Sequence, residues 1–216
     1  MDILEVMKSR HSVRQYKDKK IELNKRNVLD ELAKECNLES NMNIQIIYDE
    51  PKCFDSFMAH YGKFSGCTNY IAIVGKKSKD LDEKAGYYGE KLVLKAQELG
   101  LNTCWVAMTH GKSAAKIEKG EKLAIIISLG YGENQGVAHT SKHLSDVCNQ
   151  TDNVPEWFAK GMEAVMLAPT AMNQQKFKFT LKGERVEAAT RGGLYSKIDL
   201  GIVKYHFEAV SGHKVD

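Results

Sequence analysis

The spacing of apolar residues divides the chain into helical and extended stretches. Ile3, Leu4 and Met7 recur at helical spacing and predict a short helix over residues 2–9. Val28, Leu29, Leu32 and Cys36 predict a second helix over 23–36, with those four on its inner face. Residues 43–48 read as extended. Phe54, Phe57, Met58 and Tyr61 fit one or two further helical turns. A buried strand follows at 70–74. The stripe Ala85, Tyr88, Leu92, Ala96 and Leu99 marks a long helix over 82–99, with Gly100 suited to end it. Residues 103–108 and 123–129 are two more apolar strands, and 130–153 has no period and reads as a long connection. Pro155 can open a helix carrying Trp157, Phe158, Met162, Val165 and Met166, which Pro169 ends. Phe177, Phe179 and Leu181 alternate with Lys176, Lys178 and Thr180, the signature of a half-buried strand, and Lys182-Gly183 signals a turn. Residues 199–210 form the last predicted helix. Strands and helices are interspersed without a strict β-α-β rhythm, which implies an α+β fold or a mixed three-layer sheet. No GxGxxG fingerprint occurs.

The two halves echo each other. Met42-Asn43-Ile44-Gln45 matches Met172-Asn173-Gln174-Gln175 at an offset of 130, and the helix of Gly89 matches that of Gly201 at an offset of 112. The offsets differ by 18, which places an insertion in the first half. Two matches in the same order suggest a duplicated chain folding as a pseudo-dimer, with halves 1–135 and 136–216 in one globular unit.

Composition narrows the function. The chain has 216 residues, with 31 Lys and Arg against 28 Asp and Glu, a net charge of +3 that does not argue for nucleic acid or a membrane surface. No apolar run approaches the ~20 residues that span a bilayer, and no signal-peptide core is present, so the chain reads as soluble and cytoplasmic. The five cysteines are odd in number and form no CxxC, so free buried thiols are expected.

Two stretches could carry chemistry. In Arg10-His11-Ser12-Val13-Arg14, an extended backbone places Arg10, Ser12 and Arg14 on one face. Two guanidinium forks and a hydroxyl suit a phosphate, whereas the bland alternative is a solvated basic turn. In Ala168-Pro169-Thr170-Ala171-Met172-Asn173-Gln174-Gln175, amides that both donate and accept follow a helix break. They could read the edge of a planar heterocycle, or merely cap their own loop. Gly86-Tyr87-Tyr88-Gly89-Glu90 through Trp105 reads mainly as core. His110-Gly111-Lys112-Ser113 lacks the first glycine of a P-loop, since Val106 stands there. His139 and His143 have no partner placed to complete a metal site, so no metal is expected.

Together these motifs resemble the nitroreductase family of FMN flavoproteins. Arg10 to Arg14 after a short first helix is similar to that family's phosphate segment, and Ala168 to Gln175 to its Pro-Ser-Ser-x-Asn-x-Gln loop. The resemblance implies a three-layer α/β/α fold and, through the duplication, a single chain that mimics the usual homodimer. It implies that Arg10, His11, Ser12 and Arg14 bind the FMN phosphate and the N1/O2 side. It carries Pro169, Thr170, Met172, Asn173 and Gln175 to the ring and ribityl chain, and Lys142 to a further phosphate contact. Ala107 and Met108 stand where the family aims backbone N–H groups at flavin N5. Thr170 and Ala171 replace the motif's two serines. The implied activity is ping-pong hydride transfer from NAD(P)H through N5 to a nitroaromatic, quinone or similar small acceptor, with no catalytic side chain; a non-catalytic FMN sensor or store is the alternative. One working FMN site per chain is expected, in a monomeric pseudo-dimer or a weak homodimer.

Overall fold

The protein is described from a computed structural model covering residues 2–216. The chain forms two compact units, one of residues 10–81 and 92–137, the other of residues up to Ser9, 82–91 and 138–216.

The first of these is built on a four-stranded antiparallel sheet. Its strands are β1 (Asn43–Ile47), β2 (Asn69–Lys76), β3 (Asn102–Val106) and β4 (Glu121–Gly130), in the order β1-β2-β4-β3. Asn43 faces Val74 across β1 and β2, and Asn102 faces Gly130 across β3 and β4. Residues 69–75 are buried without interruption, because β2 is an inner strand covered on both faces. That explains why Tyr70–Val74 reads as a continuous apolar run rather than an alternating one. Helix α2 (Leu23–Ser40) packs on β1. Its buried face is Leu29, Ala33, Cys36 and Ser40, whereas Val28 is exposed, so the inner stripe lies one position round from the expected one. The short helix α3 (Phe57–Tyr61) starts at Ser56, whose hydroxyl accepts from Ala59 N. Phe54 beside it is buried, but Phe57 and Tyr61 point outward.

The segment after the first helix lies along the open edge of β3. Ser12 pairs with Thr103 in a parallel bridge, and Val13 N donates to Thr103 O at 3.0 Å. Val13 and Tyr16 enter the core, where the Tyr16 hydroxyl meets Ser128 Oγ at 2.7 Å and donates to Val13 O.

The other unit contains α1 (Ile3–Ser9), the first part of α4 (Leu81–Glu98), α5 (Leu144–Val147), α6 (Glu156–Val165), the hairpin β5 (Phe177–Lys182) with β6 (Arg185–Thr190), and α7 (Ser196–Ser211). Phe158, Phe177, Phe179 and Phe207 form its aromatic centre, with Phe179 and Phe207 stacked at 5.4 Å. Phe177, Phe179 and Leu181 face inward on β5 as the alternation requires. Strand β6 leaves no mark in the apolar pattern, since only Val186 on it is fully buried. Helix α7 begins at Ser196, three residues before the expected start.

Helices α4 and α7 cross backbone to backbone at Gly86 and Gly201. A Cβ on Gly86 would lie 2.0 Å from Ile198 O, and one on Gly201 would lie 1.9 Å from Glu83 O. The contact is reciprocal: each glycine meets the carbonyl three residues before the other and the amide one residue after it. The helix pair therefore aligns Gly201 with Gly86 rather than with Gly89. His206 and Glu90 lock the same crossing. Both are fully buried, with His206 Nε2 at 3.0 Å from Glu90 Oε1 and Nδ1 donating to Ala164 O at 2.9 Å.

All five cysteines are free and buried. No helix among the described residues is long and apolar enough to cross a membrane.

Candidate functional site

The candidate residues fall in two groups, one in each compact unit. Arg10, His11, Ser12, Arg14, Ala107 and Met108 belong to the sheet unit. The backbone bond from Val13 to Thr103 fixes their segment on β3, and a Cβ on Gly136 would lie 2.8 Å from His11 Cβ, so a second loop backs it closely. Val13 points inward while Ser12 and Arg14 are exposed, which is the alternation of an extended segment. Arg10 departs from the expected row. It is only 4% exposed, and it lies directly after the end of helix α1 at Ser9, before the alternation that begins at Ser12.

All three groups nonetheless act on the buried Cys104 thiol. Burial pushes this thiol up, while the Arg14 guanidinium, a hydrogen bond with Ser12 and the Arg10 guanidinium each act in the opposite direction. Two positive charges and a hydroxyl thus act on one point at the edge of β3. An exposed guanidinium and a hydroxyl, with the charge of a buried second guanidinium, fit a phosphate dianion. The Arg14 guanidinium also lies 6.0 Å from the Phe64 ring centre. Ala107 and Met108 follow the end of β3, with Met108 64% exposed. The loop they open is held by Gly111 N donating to Cys53 O at 2.6 Å and by Thr109 packed against Gly62.

Lys142, Pro169, Thr170, Met172, Asn173 and Gln175 belong to the other unit. Their loop includes a short 3-10 turn, Ala171–Asn173, in which Met172, Asn173 and, just beyond, Gln175 have φ of 51°, 53° and 45°. Non-glycine residues in this region cost on the order of 1–3 kcal/mol each, Asn least. The surroundings therefore have to hold the loop.

They do so largely through its own amides. Gln175 is buried; its Oε1 accepts from Lys142 N at 2.9 Å, and its Nε2 donates to Thr140 O at 3.0 Å and Asn173 Oδ1 at 2.8 Å. That takes both of its N–H groups and one oxygen lone pair, so Gln175 braces the loop. Lys142, expected as a phosphate contact, donates instead to the carbonyls of Gln174 (2.8 Å) and Gln175 (3.3 Å). Asn173 is exposed; its Nδ2 donates to Thr140 O at 2.8 Å, which leaves one N–H and one oxygen lone pair by valence. Thr170 Oγ1 accepts from Gln175 N at 3.1 Å and keeps its own proton. Met172 is 80% exposed at the tip.

A further residue of the loop's support carries no signal in the sequence. Asp199, buried on the first turns of α7, accepts from Ala171 N at 2.9 Å and from Gln174 Nε2 at 2.7 Å. Burial raises its carboxyl above the usual range, and those two hydrogen bonds act against the rise. A lone acid early in a helix gives no local sign of such a role.

The model of a family described as "Putative TM nitroreductase" matches residues 2–211. Among solved structures, one from Thermotoga maritima, described as a "putative nitroreductase", superposes with a TM-score of 0.72 at 22% identity, covering 97% of this chain and 83% of that one. A structure from Desulfovibrio desulfuricans, described as a "putative nitroreductase in complex with FMN", gives 0.54 at 17% identity, covering 68% and 94%. One from Bacteroides thetaiotaomicron, described as a "putative NADH dehydrogenase/NAD(P)H nitroreductase", gives 0.53 at 16% identity, covering 67% and 95%. These likenesses establish a nitroreductase-type α+β fold. No curated protein matches the chain.

Proposed function

The chain belongs to this nitroreductase family, and on that premise we propose that it is an FMN-dependent NAD(P)H oxidoreductase. The observation that carries the reading is the Arg10–Arg14 segment bridged to β3 at Ser12 and Thr103 with Ser12 and Arg14 exposed, a donor set matched to the phosphate of a mononucleotide. The Desulfovibrio desulfuricans structure, a complex with FMN, supports the same cofactor.

In this reading Arg14 and Ser12, both exposed, bind the phosphate, and buried Arg10 adds fixed positive charge behind them. Pro169, Thr170, Met172 and Asn173 face the ring and ribityl chain, with the Thr170 hydroxyl and the remaining Asn173 N–H as donors. Gln175 and Lys142 hold that loop in its left-handed conformation. Ala107 and Met108 supply the backbone near N5. The redox chemistry, hydride uptake from NAD(P)H and delivery to a nitroaromatic, quinone or similar small acceptor, is what FMN supplies when bound. The protein contributes binding, orientation and charge, which agrees with a site built from arginines and amides rather than a catalytic dyad.

The duplication belongs to the same proposal. The order helix, strand, strand, helix occurs as α2-β1-β2-α4 and again as α6-β5-β6-α7. The connection between the strands holds α3 in the first case and is the tight turn at Gly183 in the second, which is where the expected insertion would lie. The reciprocal contact of Gly86 with Gly201 supports a two-fold relation between the helices. One chain then does the work of a homodimer, with a single FMN, as a monomer or a weak dimer in the cytoplasm.

The test is anaerobic mixing of the FMN-loaded protein with NADH and with NADPH. Bleaching of the flavin, restored by a quinone, supports turnover. A flavin that neither donor reduces indicates a binding or storage protein.

A further inference from the structure

Three of the residues at 172–175 sit in left-handed backbone that none of them favours as glycine would. Such a conformation persists only where the surroundings over-determine it. The support at the Asn173 and Gln175 end comes from residues 140–142. At the Ala171 and Gln174 end it comes from one carboxylate: Asp199 Oδ1 takes the Ala171 N–H and Oδ2 takes the Gln174 amide. The second Gln174 N–H donates to Leu194 O at 2.8 Å, tying in the loop that leads into α7. Asp199 itself lies two residues from Gly201, where α7 is pressed against α4.

We propose that Asp199 is a positioning residue that pre-forms the ring-binding loop, so that the loop does not have to be ordered by the flavin. The assignment of that loop to the ring rests on the FMN reading above; the latch itself does not. A ligand that needs a pre-formed conformation binds more weakly in proportion to the fraction of molecules that hold it. Releasing the Asp199 end lets Met172 and Gln175 relax toward ordinary backbone and lowers that fraction.

The experiment compares FMN binding to the full-length apoprotein and to the Asp199→Ala variant by stopped flow, with circular dichroism to confirm the fold. Asp199→Ala is expected to lower the association rate and raise Kd by about tenfold, with the dissociation rate unchanged, because the loop makes the same contacts once it has closed. Gln174→Met removes one of the two Asp199 bonds together with the bond to Leu194 O, lies partly at the surface, and is expected to give about threefold; it carries the test if Asp199→Ala does not fold. Hydrogen exchange of the Ala171 amide in the apoprotein reads the latch without FMN and is expected to speed up at least about tenfold in Asp199→Ala and about threefold in Gln174→Met, which keeps the Ala171 bond to Asp199. Folded variants with unaltered association and unaltered exchange overturn the proposal. A faster dissociation with unaltered association also overturns it, since that marks lost contact rather than lost positioning. A wild-type chain that takes up no FMN, but whose Ala171 amide is protected and loses protection in the variants, leaves the latch standing and overturns the flavin reading alone.

Discussion

Replacing Gly201 with alanine tests the helix crossing on which one unit is built. The added methyl would lie 1.9 Å from Glu83 O and 2.6 Å from Tyr87 N, against 3.4 Å for ordinary contact. These are backbone atoms of a helix, so no side chain can rotate away; α4 and α7 must separate by about 1.5 Å, the shortfall in that contact. Overpacking of this kind costs about 1–3 kcal/mol and occasionally more. Alanine in place of glycine returns about 1 kcal/mol of helix propensity. With backbone on both sides the upper end of the first range applies, so a net loss of about 2 kcal/mol is expected. For a chain of this size that lowers Tm by about 4–8 °C. Separation would also stretch the buried His206–Glu90 contact from 3.0 Å, which adds to the loss. Urea unfolding followed by circular dichroism measures it. The double variant Gly86→Ala with Gly201→Ala should lose less than the sum of the singles, because the first methyl already parts the helices. A Gly201→Ala protein at least as stable as the parent, which propensity alone would give, refutes the crossing.

Arg14→Ala should weaken FMN binding by about 1.5–3 kcal/mol, the scale of a charged hydrogen bond, measured by fluorescence titration; unchanged retention would remove Arg14 from the clamp. The Arg26 guanidinium, bonded to Asp49 at 2.9 Å, holds that carboxyl below its usual range. Stability from this pair is present above the unfolded carboxylate value of about 3.9 and is lost as pH falls through the lower folded value. Because Asp49 is 44% exposed, the loss should stay below about 1 kcal/mol; Asp49→Asn, which tolerates the φ of 54° there, should flatten the acid limb of a Tm–pH profile. Burial pushes the thiols of Cys53 and Cys67 up to about 12, so iodoacetamide at about pH 8 should leave both unmodified until the protein unfolds; prompt alkylation of either in the native protein would contradict their burial.

What could be read from the chain follows from how local each signal is. The long helix α4 and strand β5 were legible because their apolar residues repeat at 3.6 and at 2 over several turns or pairs. Strand β6 was not, because Arg185 to Thr190 carries charge and buries Val186 alone. The start of α7 was hidden by Tyr195, an N-cap in left-handed backbone with no capping side-chain bond. Both candidate stretches were visible as residue types, yet their roles depended on tertiary geometry. Arg10 lies next to a helix end, where alternation fails. The Gln175 amide is taken by Lys142 N and Thr140 O, groups more than thirty positions away. Asp199 reaches back 28 positions to Ala171, a separation at which no sequence period operates.

FMN is proposed to bind this chain through the Arg10–Arg14 segment. The most direct measurement is the visible spectrum of the purified protein after reconstitution with FMN and gel filtration, run beside Arg14→Ala. Flavin absorption should travel with the parent chain at about one FMN per polypeptide and be largely lost from the variant. A colourless parent whose added FMN elutes free, or a variant that keeps its flavin in full, would contradict it.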